Sequence, residues 1–412
     1  MAPAERGRFL SLHELVGHRE ARLAVGRAFT AGRLPQALLL HGVPGVGKQR
    51  FGLWVAQLLL CERPTEGAPC GTCQGCRLST RVEHPDLHWF VPVKKPPSRG
   101  SPQRDDEALE DARRERIEEL RARPLQPTHS ADPLGLHLGT IRNLRRRAAS
   151  RPSMASRQVF LVANAEELVS QEASPEAANA LLKLLEEPPA SLYFILTSAE
   201  PGRLLPTIRS RTSSLHLPGL TSEMVSVFLQ EQRGVDVDQA DALARLSSGS
   251  IGRALGYLPG EDEEEGPLEA LRKESFRLLR DALSDDPAHR FSRALQYAPS
   301  GARGLRELLL GLEVWLRDLA AAREAPEALL NRDAGDWLVR TVEELGIDPA
   351  AVARSMEALH DARAQAAGNV NPQLLLSGLM IRLNRTLVSP RPTSLKGVED
   401  QLRESGVPRR PG

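Results

Sequence analysis

A glycine-rich segment near the N-terminus constrains the fold more than any other feature of this sequence. It is Gly42-Val43-Pro44-Gly45-Val46-Gly47-Lys48, and it lies between a short apolar strand predicted at residues 37–41 and a helix predicted at residues 51–60. Glycines allow the backbone to point its N–H groups at phosphates, while the helix N-terminus and the lysine add positive charge. This order of strand, loop and helix predicts a P-loop α/β domain with a parallel sheet. The nucleotide-binding residues would be Gly42, Gly45, Gly47, Lys48 and Gln49.

The same loop lacks residues that ATP hydrolysis requires. In P-loop ATPases a Ser or Thr follows the lysine and binds Mg²⁺, but here Gln49 has a longer side chain that places its amide oxygen elsewhere. An Asp-Glu pair should also end a buried strand, to orient the hydrated metal and polarise the attacking water. After that strand this chain has Ala163 and Asn164. Glu166 and Glu167 lie on the following turn, and they point elsewhere if that turn starts a helix. ATP binding could survive these changes, whereas metal-assisted hydrolysis should not.

Four cysteines form a compact cluster after the first helix. Cys61, Cys70, Cys73 and Cys76 have the spacing C-x8-C-x2-C-x2-C. A C-x2-C pair places two thiolates on one tight turn, and four sulfur ligands suit tetrahedral Zn²⁺. Iron–sulfur clusters use four cysteines with different spacings, and redox-active or free thiols are a further alternative. With four protein ligands no coordination position stays open, so a structural zinc is predicted.

The order of strand and helix signals predicts three successive structural units. Strands alternate with helices at first, which predicts an α/β P-loop domain with a parallel sheet at residues 1–217, carrying the cysteine module at 61–76. An insertion at 94–137 is charged and flanked by prolines, so we expect a flexible, solvated and partly helical segment rather than core. After residue 217 strand signals almost vanish. We predict a small helical domain at 218–260, an acidic linker at 261–267, a larger all-α domain at 268–390 and a tail at 391–412.

The overall charge and hydropathy exclude some classes of protein. There are 54 basic and 53 acidic residues, so bulk electrostatic coating of DNA is not favoured. No segment reaches the roughly 18 apolar residues of a membrane helix, and the N-terminus has no apolar signal region. These observations predict a cytoplasmic protein with no membrane partner. A reducing compartment favours a metal site over disulfides for the four cysteines.

Several further segments carry a family resemblance. They are residues 32–37 (GRLPQA) before the loop, the four-cysteine insert, 84–86 (HPD), 179–189 (NALLKLLEEPP), 204–211 (LLPTIRSR) and 371–376 (NPQLLL). Together they resemble the clamp-loader branch of the AAA+ family, and within it the delta-prime subunits of bacterial DNA polymerase III. The likeness covers nearly the whole chain except the insertion and the tail. Thr212 stands where the family's Ser-Arg-Cys motif has cysteine.

This resemblance implies a role between subunits. In such loaders a ring of subunits, including gamma/tau motors and delta, opens a sliding clamp and places it on primed DNA. The Ser-Arg motif implies that Arg211 is an arginine finger acting in trans, since a guanidinium stabilises charge on a phosphoryl group in transfer. The helical domains would be a lid and an oligomerising collar. The lid's phosphate-sensing arginine would be Arg253, but it lies one residue later than the family's Gly-Ser-x-Arg motif places it. One residue on a helix turns the side chain by about 100°, so Arg253 would face elsewhere.

Two other functions stay open at this stage. An active gamma/tau-type loader ATPase is favoured by Lys48, and Gln49, Ala163 and Asn164 oppose it. A stand-alone zinc-containing DNA-binding protein is the second, because four-cysteine modules often bind nucleic acid. It is supported by a basic cluster that could contact phosphates or form a solvated helix face: Arg142, Arg145, Arg146 and Arg147.

Overall fold

The computed structural model describes residues 12, 14–125, 134–169, 175–260, 263–297, 301–366 and 370–388. The chain divides into two compact units, Met1–Ala270 and Leu271–Gly412. The tail predicted at 391–412 lies outside the described residues, as do residues 126–133 of the predicted insertion and residues 261–262 of the predicted linker.

A five-stranded sheet forms the centre of the first unit. Its strands are β1 (Ala37–His41), β2 (Leu87–Phe90), β3 (Gln158–Val162), β4 (Leu192–Ser198) and β5 (Ser213–His216). Their order is β2-β3-β4-β1-β5, and all neighbours pair in parallel. Because the carboxyl ends of parallel strands lie at one edge of the sheet, the segments that follow β1, β3 and β4 meet there.

Ten helices are described in the first unit. They are α1 (Arg19–Thr30), α2 (Lys48–Leu59), α3 (Gln74–Thr80), α4 (Pro102–Ala122), α5 (Leu138–Ala148), α6 (Pro175–Glu186), α7 (Pro206–Arg209), α8 (Ser222–Arg233), α9 (Val237–Leu246) and α10 (Ile251–Gly256). Two apolar cores lie on opposite faces of the sheet: Leu40 and α2 residues such as Phe51 belong to one, and Leu39 belongs to the other. Parallel strands covered on both faces are apolar along their length, which explains the ALLLH and VFLV segments.

The segment predicted as a solvated insertion contains a packed helix. α4 contacts α5, and Ala108, Leu109 and Glu110 on its inner face are buried. Leu109 belongs to the same core as the sheet residues on the α2 side. The expectation that this segment lies outside the core is therefore wrong for α4. The charged composition suggests a solvated segment, but acids on the buried face of α4 are neutralised by arginines.

The second unit is helical throughout its described residues. α11 (Pro267–Ala282) crosses the boundary between the units, and α12 (Pro287–Gln296), α13 (Gly301–Ala321), α14 (Gly335–Leu345), α15 (Pro349–Ala366) and α16 (Pro372–Leu387) follow. Its core centres on Trp315 and on leucines of α13 and α16. Asp318 is fully buried, and its carboxylate accepts hydrogen bonds from the backbone of Leu330 (3.0 Å) and Asn331 (2.8 Å). This bond pattern fixes the segment between α13 and α14.

The predicted fold class is confirmed: a parallel-sheet α/β unit is followed by helices. The exact division into a domain at 1–217, a lid at 218–260 and a collar at 268–390 stays a prediction. In the part of the chain that the structure describes, no helix combines the length and apolar character needed to cross a lipid bilayer.

Candidate functional site

The glycine-rich loop joins β1 to α2 at the carboxyl edge of the sheet. Gly42, Gly45 and Gly47 have φ values of 155°, 75° and 103°, which residues with side chains rarely adopt. Lys48 is the first residue of α2 and is only 6% exposed. Its Nζ donates hydrogen bonds to the carbonyl oxygens of Gly42 (2.9 Å) and Val43 (2.8 Å). The lysine therefore bonds to its own loop.

Burial changes the chemistry of this lysine and of a neighbouring acid. Desolvation lowers the pKa of Lys48 to about 8, and the charge of Glu166 partly opposes that shift. Glu166 is 5% exposed, and its Oε1 accepts a hydrogen bond from the Ala199 backbone (2.9 Å). Ala165–Val169 forms a 3₁₀ turn on which this carboxylate is buried and bonded to the end of β4. That Glu166 does not replace the missing acids stays a prediction. An acid two residues beyond the expected motif was the signal available in the sequence.

The residues that replace the metal and base positions contact one another. Gln49 Nε2 donates a hydrogen bond of 3.3 Å to Asn164 Oδ1. Ala163 is fully buried, and the Asn164 backbone N–H donates to Thr197 Oγ1 at 3.0 Å. Thus β3 ends where the sequence predicted, and two neutral amides meet beside the loop. Amides attract Mg²⁺ much less than carboxylates do, because they carry no net charge.

The helix α10 lies directly on the glycine-rich loop. Ser250 Oγ donates to the Pro44 carbonyl (2.7 Å), and the Gly252 backbone N–H donates to the Gly45 carbonyl (3.0 Å). A Cβ added to Gly45 would lie 2.9 Å from Gly252 Cα, so the two backbones are in close contact. Arg253 lies in the first turn of α10, where its backbone N–H donates to Ser250 Oγ. The role of its side chain as a phosphate sensor stays a prediction.

Arg211 lies on the turn between α7 and β5 at the protein surface. Its side chain is 35% exposed and forms an ion pair of 2.8 Å with Glu186 Oε1. Its Nη1 also donates a hydrogen bond to the Thr207 carbonyl (3.0 Å). Beneath it, Ile208 is fully buried in the core, so the turn has a fixed base. The role of Arg211 as an arginine finger acting in trans stays a prediction.

The four cysteine sulfurs lie within 4.8 Å of one another and can hold a metal ion. The Sγ atoms of Cys61 and Cys73 are 3.9 Å apart, and those of Cys70 and Cys76 are also 3.9 Å apart. A tetrahedral zinc with Zn–S bonds of about 2.3 Å separates its sulfurs by about 3.8 Å. Three of the cysteine backbone N–H groups donate to sulfurs of the cluster at 3.3–3.4 Å. The donor set therefore fits a zinc ion in size and chemistry.

Hydrogen bonding and burial set the cysteine pKa values in opposite directions. Backbone N–H groups of Cys73 and Thr72 lower the pKa of the Cys70 thiol to about 6. Desolvation raises the pKa of Cys61 and Cys76. Two buried thiols that resist ionisation beside one that ionises easily need a cation to become thiolates together, and metal binding supplies that charge.

Asp86 is a structural residue whose role the sequence left unexplained. Its fully buried carboxylate accepts three backbone hydrogen bonds, from Ser153 (2.6 Å), Met154 (2.8 Å) and Ala155 (2.7 Å). The His84 ring Nδ1 accepts the Asp86 backbone N–H at 3.1 Å. The HPD segment thus shapes the loop that leads into β3. The sequence signals for this residue are its place in the HPD segment and its charge between the cysteine module and an apolar strand.

The predicted basic cluster is partly neutralised. Arg142 Nη2 lies 2.5 Å from Asp106 Oδ1, and Arg147 Nη2 lies 2.8 Å from Glu110 Oε1. Both acids belong to the buried face of α4. Two of the four arginines therefore join α5 to α4, which removes much of the support for an independent DNA-binding surface there.

Comparison with known proteins identifies the family. A family described as "DNA polymerase III, delta subunit" matches residues 18–221. DNA polymerase III subunit delta' of Escherichia coli (strain K12) is 31% identical over 235 residues, which are 57% of this chain and 58% of that protein. Subunit delta' of Yersinia pestis is 30% identical over 281 residues, or 65% of this chain and 70% of its own length.

Subunit gamma/tau of Mycobacterium tuberculosis (strain ATCC 25618 / H37Rv) is also similar. It is 27% identical over 405 residues, which cover 93% of this chain and 62% of that protein. The chain thus spans less than two thirds of the length of the Escherichia coli and Mycobacterium relatives. It belongs to the delta-prime family of bacterial DNA polymerase III subunits, within the clamp-loader branch of the AAA+ proteins.

Proposed function

We propose that this chain is the delta-prime-type subunit of a clamp loader, that it does not hydrolyse ATP, and that it supplies Arg211 to the ATP site of a neighbouring motor subunit. Its partners would be the gamma/tau motor subunits and the delta subunit, with the sliding clamp and primed DNA engaged through the assembly. One contrast carries the proposal. The position for a metal ligand and the positions for both acids are occupied by Gln49, Ala163 and Asn164, while Arg211 stands exposed on a rigid turn.

The buried loop supports the absence of hydrolysis in cis. Lys48 bonds to the carbonyls of its own loop, and α10 packs against Gly45. With Gln49 in place of a hydroxyl after Lys48, and Ala163 and Asn164 in place of the two acids that should end β3, the loop lacks its usual Mg²⁺ ligands. It therefore lacks the metal that would neutralise charge on a γ-phosphoryl group. Residual ATP binding at Gly42, Gly45, Gly47, Lys48 and Gln49 would then be structural at most.

A structural zinc held by Cys61, Cys70, Cys73 and Cys76 is part of the same proposal. The zinc supplies a fixed +2 charge that keeps the four sulfurs ionised and in place. The loop between the first two ligands packs on α1, since a Cβ at Gly26 would lie 2.5 Å from the Gly67 carbonyl oxygen. The module therefore supports the helix that precedes β1.

In the motor subunit's site, Arg211 would act on charge and position alone. Water attacks the γ-phosphoryl group of the partner's ATP, the bond to the β-phosphate oxygen breaks, and the guanidinium stabilises the negative charge on the transferring oxygens. The guanidinium acts through its charge and its hydrogen bonds to the phosphoryl oxygens. It therefore contributes no proton and no covalent bond.

The test is single-turnover ATP hydrolysis by the reconstituted loader with clamp and primed DNA. We expect the isolated chain to be inert. Arg211→Ala should slow hydrolysis at the neighbouring ATP site by about 10³-fold or more. The amplitude of the rapid first phase of hydrolysis, the burst, should therefore fall by the contribution of that site. Arg209→Ala is the matched control, because Arg209 is the exposed arginine two residues away and should leave the burst unchanged.

An active gamma/tau-type ATPase is the competing function. It is favoured by Lys48 and by the 27% identity to the Mycobacterium gamma/tau subunit. Hydrolysis by the isolated chain at a rate near that of the motor subunits would establish it, provided that Lys48→Ala abolishes the rate. In that case an unchanged burst with Arg211→Ala would also remove the finger role.

A further inference from the structure

The Arg211 guanidinium is occupied by contacts within its own chain. Its Nη2 pairs with Glu186 Oε1 at 2.8 Å, and its Nη1 donates to the Thr207 carbonyl at 3.0 Å and to Ser210 Oγ at 3.4 Å. Both terminal nitrogens of the planar group are therefore engaged. Bidentate binding of a phosphate uses those two nitrogens together, so the side chain must release at least one contact before it can bind one in that way.

The carboxylate that contacts Arg211 extends from the end of a packed helix. Glu186 is the last residue of α6, and Leu181 and Leu185 of that helix are buried in the same core as Ile208 of α7. The segment after α6 is held by Gln36, whose Nε2 donates to the carbonyls of residues 189, 190 and 192 at 2.9, 3.3 and 2.9 Å. Packed elements thus set the backbone positions from which the two side chains extend toward each other.

The two neighbouring charged residues show that this pairing is selective. Glu187 follows Glu186 directly and Arg209 precedes Arg211 by two residues, and both are exposed. Neither forms an ion pair within the described part of the chain. They differ from the paired residues only in geometry, so they serve as matched controls.

From this geometry we propose that Glu186 is a positioning residue that acts as a latch on Arg211. In the free subunit the carboxylate retains the guanidinium on the α7 turn, and in the assembly a neighbour's phosphoryl oxygens replace the carboxylate. The proposal rests on the finger function proposed above. The pair suits an exchange, because both side chains are partly exposed and such pairs contribute about 0.2–1 kcal/mol. A contact to a phosphate with more charge and two parallel hydrogen bonds outcompetes it.

The first test measures the latch in the isolated full-length chain, independently of ATP turnover. Phenylglyoxal attacks the terminal nitrogens of an arginine, and Glu186 occupies one of those of Arg211, so loss of the carboxylate should speed modification of Arg211. Peptide mass spectrometry measures the rate of modification. We expect Glu186→Gln to raise the rate about 1.5- to 5-fold, with Arg209 as the internal reference. Glu187→Gln should leave it unchanged. Added salt should bring the wild-type rate toward that of the variant, because salt screens exposed pairs.

The second test measures ATP turnover by the reconstituted loader without clamp and DNA. We expect Glu186→Gln to raise this basal turnover about 1.5- to 5-fold, and the gain to vanish when Arg211→Ala is added. Basal turnover that falls with Glu186→Gln would overturn the latch and make Glu186 an orienting group instead. So would an unchanged modification rate, or an equal rise with Glu187→Gln.

The two tests separate this proposal from the finger function on which it rests. If Arg211→Ala leaves clamp-stimulated hydrolysis intact, the finger role fails whatever the modification rates are. If Arg211→Ala abolishes that hydrolysis while Glu186→Gln changes neither rate, the finger stands and the latch is excluded.

Discussion

The glycine-rich loop and the Arg211 turn belong to the same α/β unit but have opposite surroundings. Around the loop, polar groups that could bind a nucleotide are bonded to the protein: Lys48 is 6% exposed and holds two loop carbonyls. At the turn, Arg211 is 35% exposed and is held only by surface contacts. A site turned inward stabilises the fold, whereas a site turned outward serves another molecule. Under the proposed function, the chain has lost its own chemistry and retained what it offers to a neighbour.

The largest predicted effect is that of losing the zinc, which should loosen α1 but not the α7 turn that carries Arg211. We expect one zinc per chain, and Cys76→Ser should remove it and lower the free energy of unfolding by about 4 kcal/mol or more. Hydrogen exchange should then increase in α1, which contacts the module at Gly26 and Gly67, and not in α7. Gln74→Ala is the control, since Gln74 is exposed between two ligands. Equal loss of protection in α1 and α7 would mean that the two regions do not differ in this way.

The next effect tests whether α10 closes the loop. Gly45 has φ of 75°, and a Cβ there would lie 2.6 Å from Ser250 Oγ and 2.9 Å from Gly252 Cα. Gly45→Ala should therefore lower the free energy of unfolding by about 2–4 kcal/mol, measured by urea denaturation. Gly202, on the Arg211 side, has nothing within 4 Å of an added Cβ, so Gly202→Ala should change it by less than about 0.5 kcal/mol. Similar values for both variants would show that α10 does not lie on the loop in solution.

The charge of the buried lysine gives a pH-dependent contrast. The folded chain lowers the pKa of Lys48 from 10.5 to about 8, so between these values the unfolded chain binds more protons. Stability from this group must therefore rise with pH across that window, by up to about 3 kcal/mol. In Lys48→Met this rise disappears, so the unfolding free energy of the wild type should increase relative to that of the variant by up to about 3 kcal/mol as pH goes from 8 to 10.5. A constant difference across the window would mean that Lys48 is solvated and the loop open.

Much of the fold was predictable because its signals are local. The ALLLH and VFLV segments predicted β1 and β3, and the parallel sheet followed from their alternation with helices. The four cysteines were assigned by spacing alone, and their sulfurs lie together. Local pattern suffices where one segment determines its own conformation.

The errors came from contacts between distant segments. Glu166 is buried because its carboxylate bonds to the backbone of Ala199, 33 residues further along the chain, and the sequence does not reveal that contact. The α4 helix was predicted as solvated because its buried charges are satisfied by arginines about 36 residues further along the chain, a pairing that composition cannot reveal: Arg142 with Asp106. The pairing of Arg211 with Glu186 was missed for the same reason, since nothing in either segment specifies it.

The smallest predicted effect completes the comparison. Arg211→Ala removes only surface contacts, so it should change the free energy of unfolding by less than about 1 kcal/mol. Ile208→Ala, three residues earlier in the core, should lower it by about 2–5 kcal/mol. The decisive measurement is the pair of unfolding curves for these variants beside the burst amplitude of the loader. If Arg211→Ala destabilises the chain as much as Ile208→Ala does, the arginine holds the turn together. The loss of hydrolysis in the loader would then result from misfolding of this chain. If stability is unchanged while the neighbour's hydrolysis is lost, the outward-facing residue acts on another molecule alone.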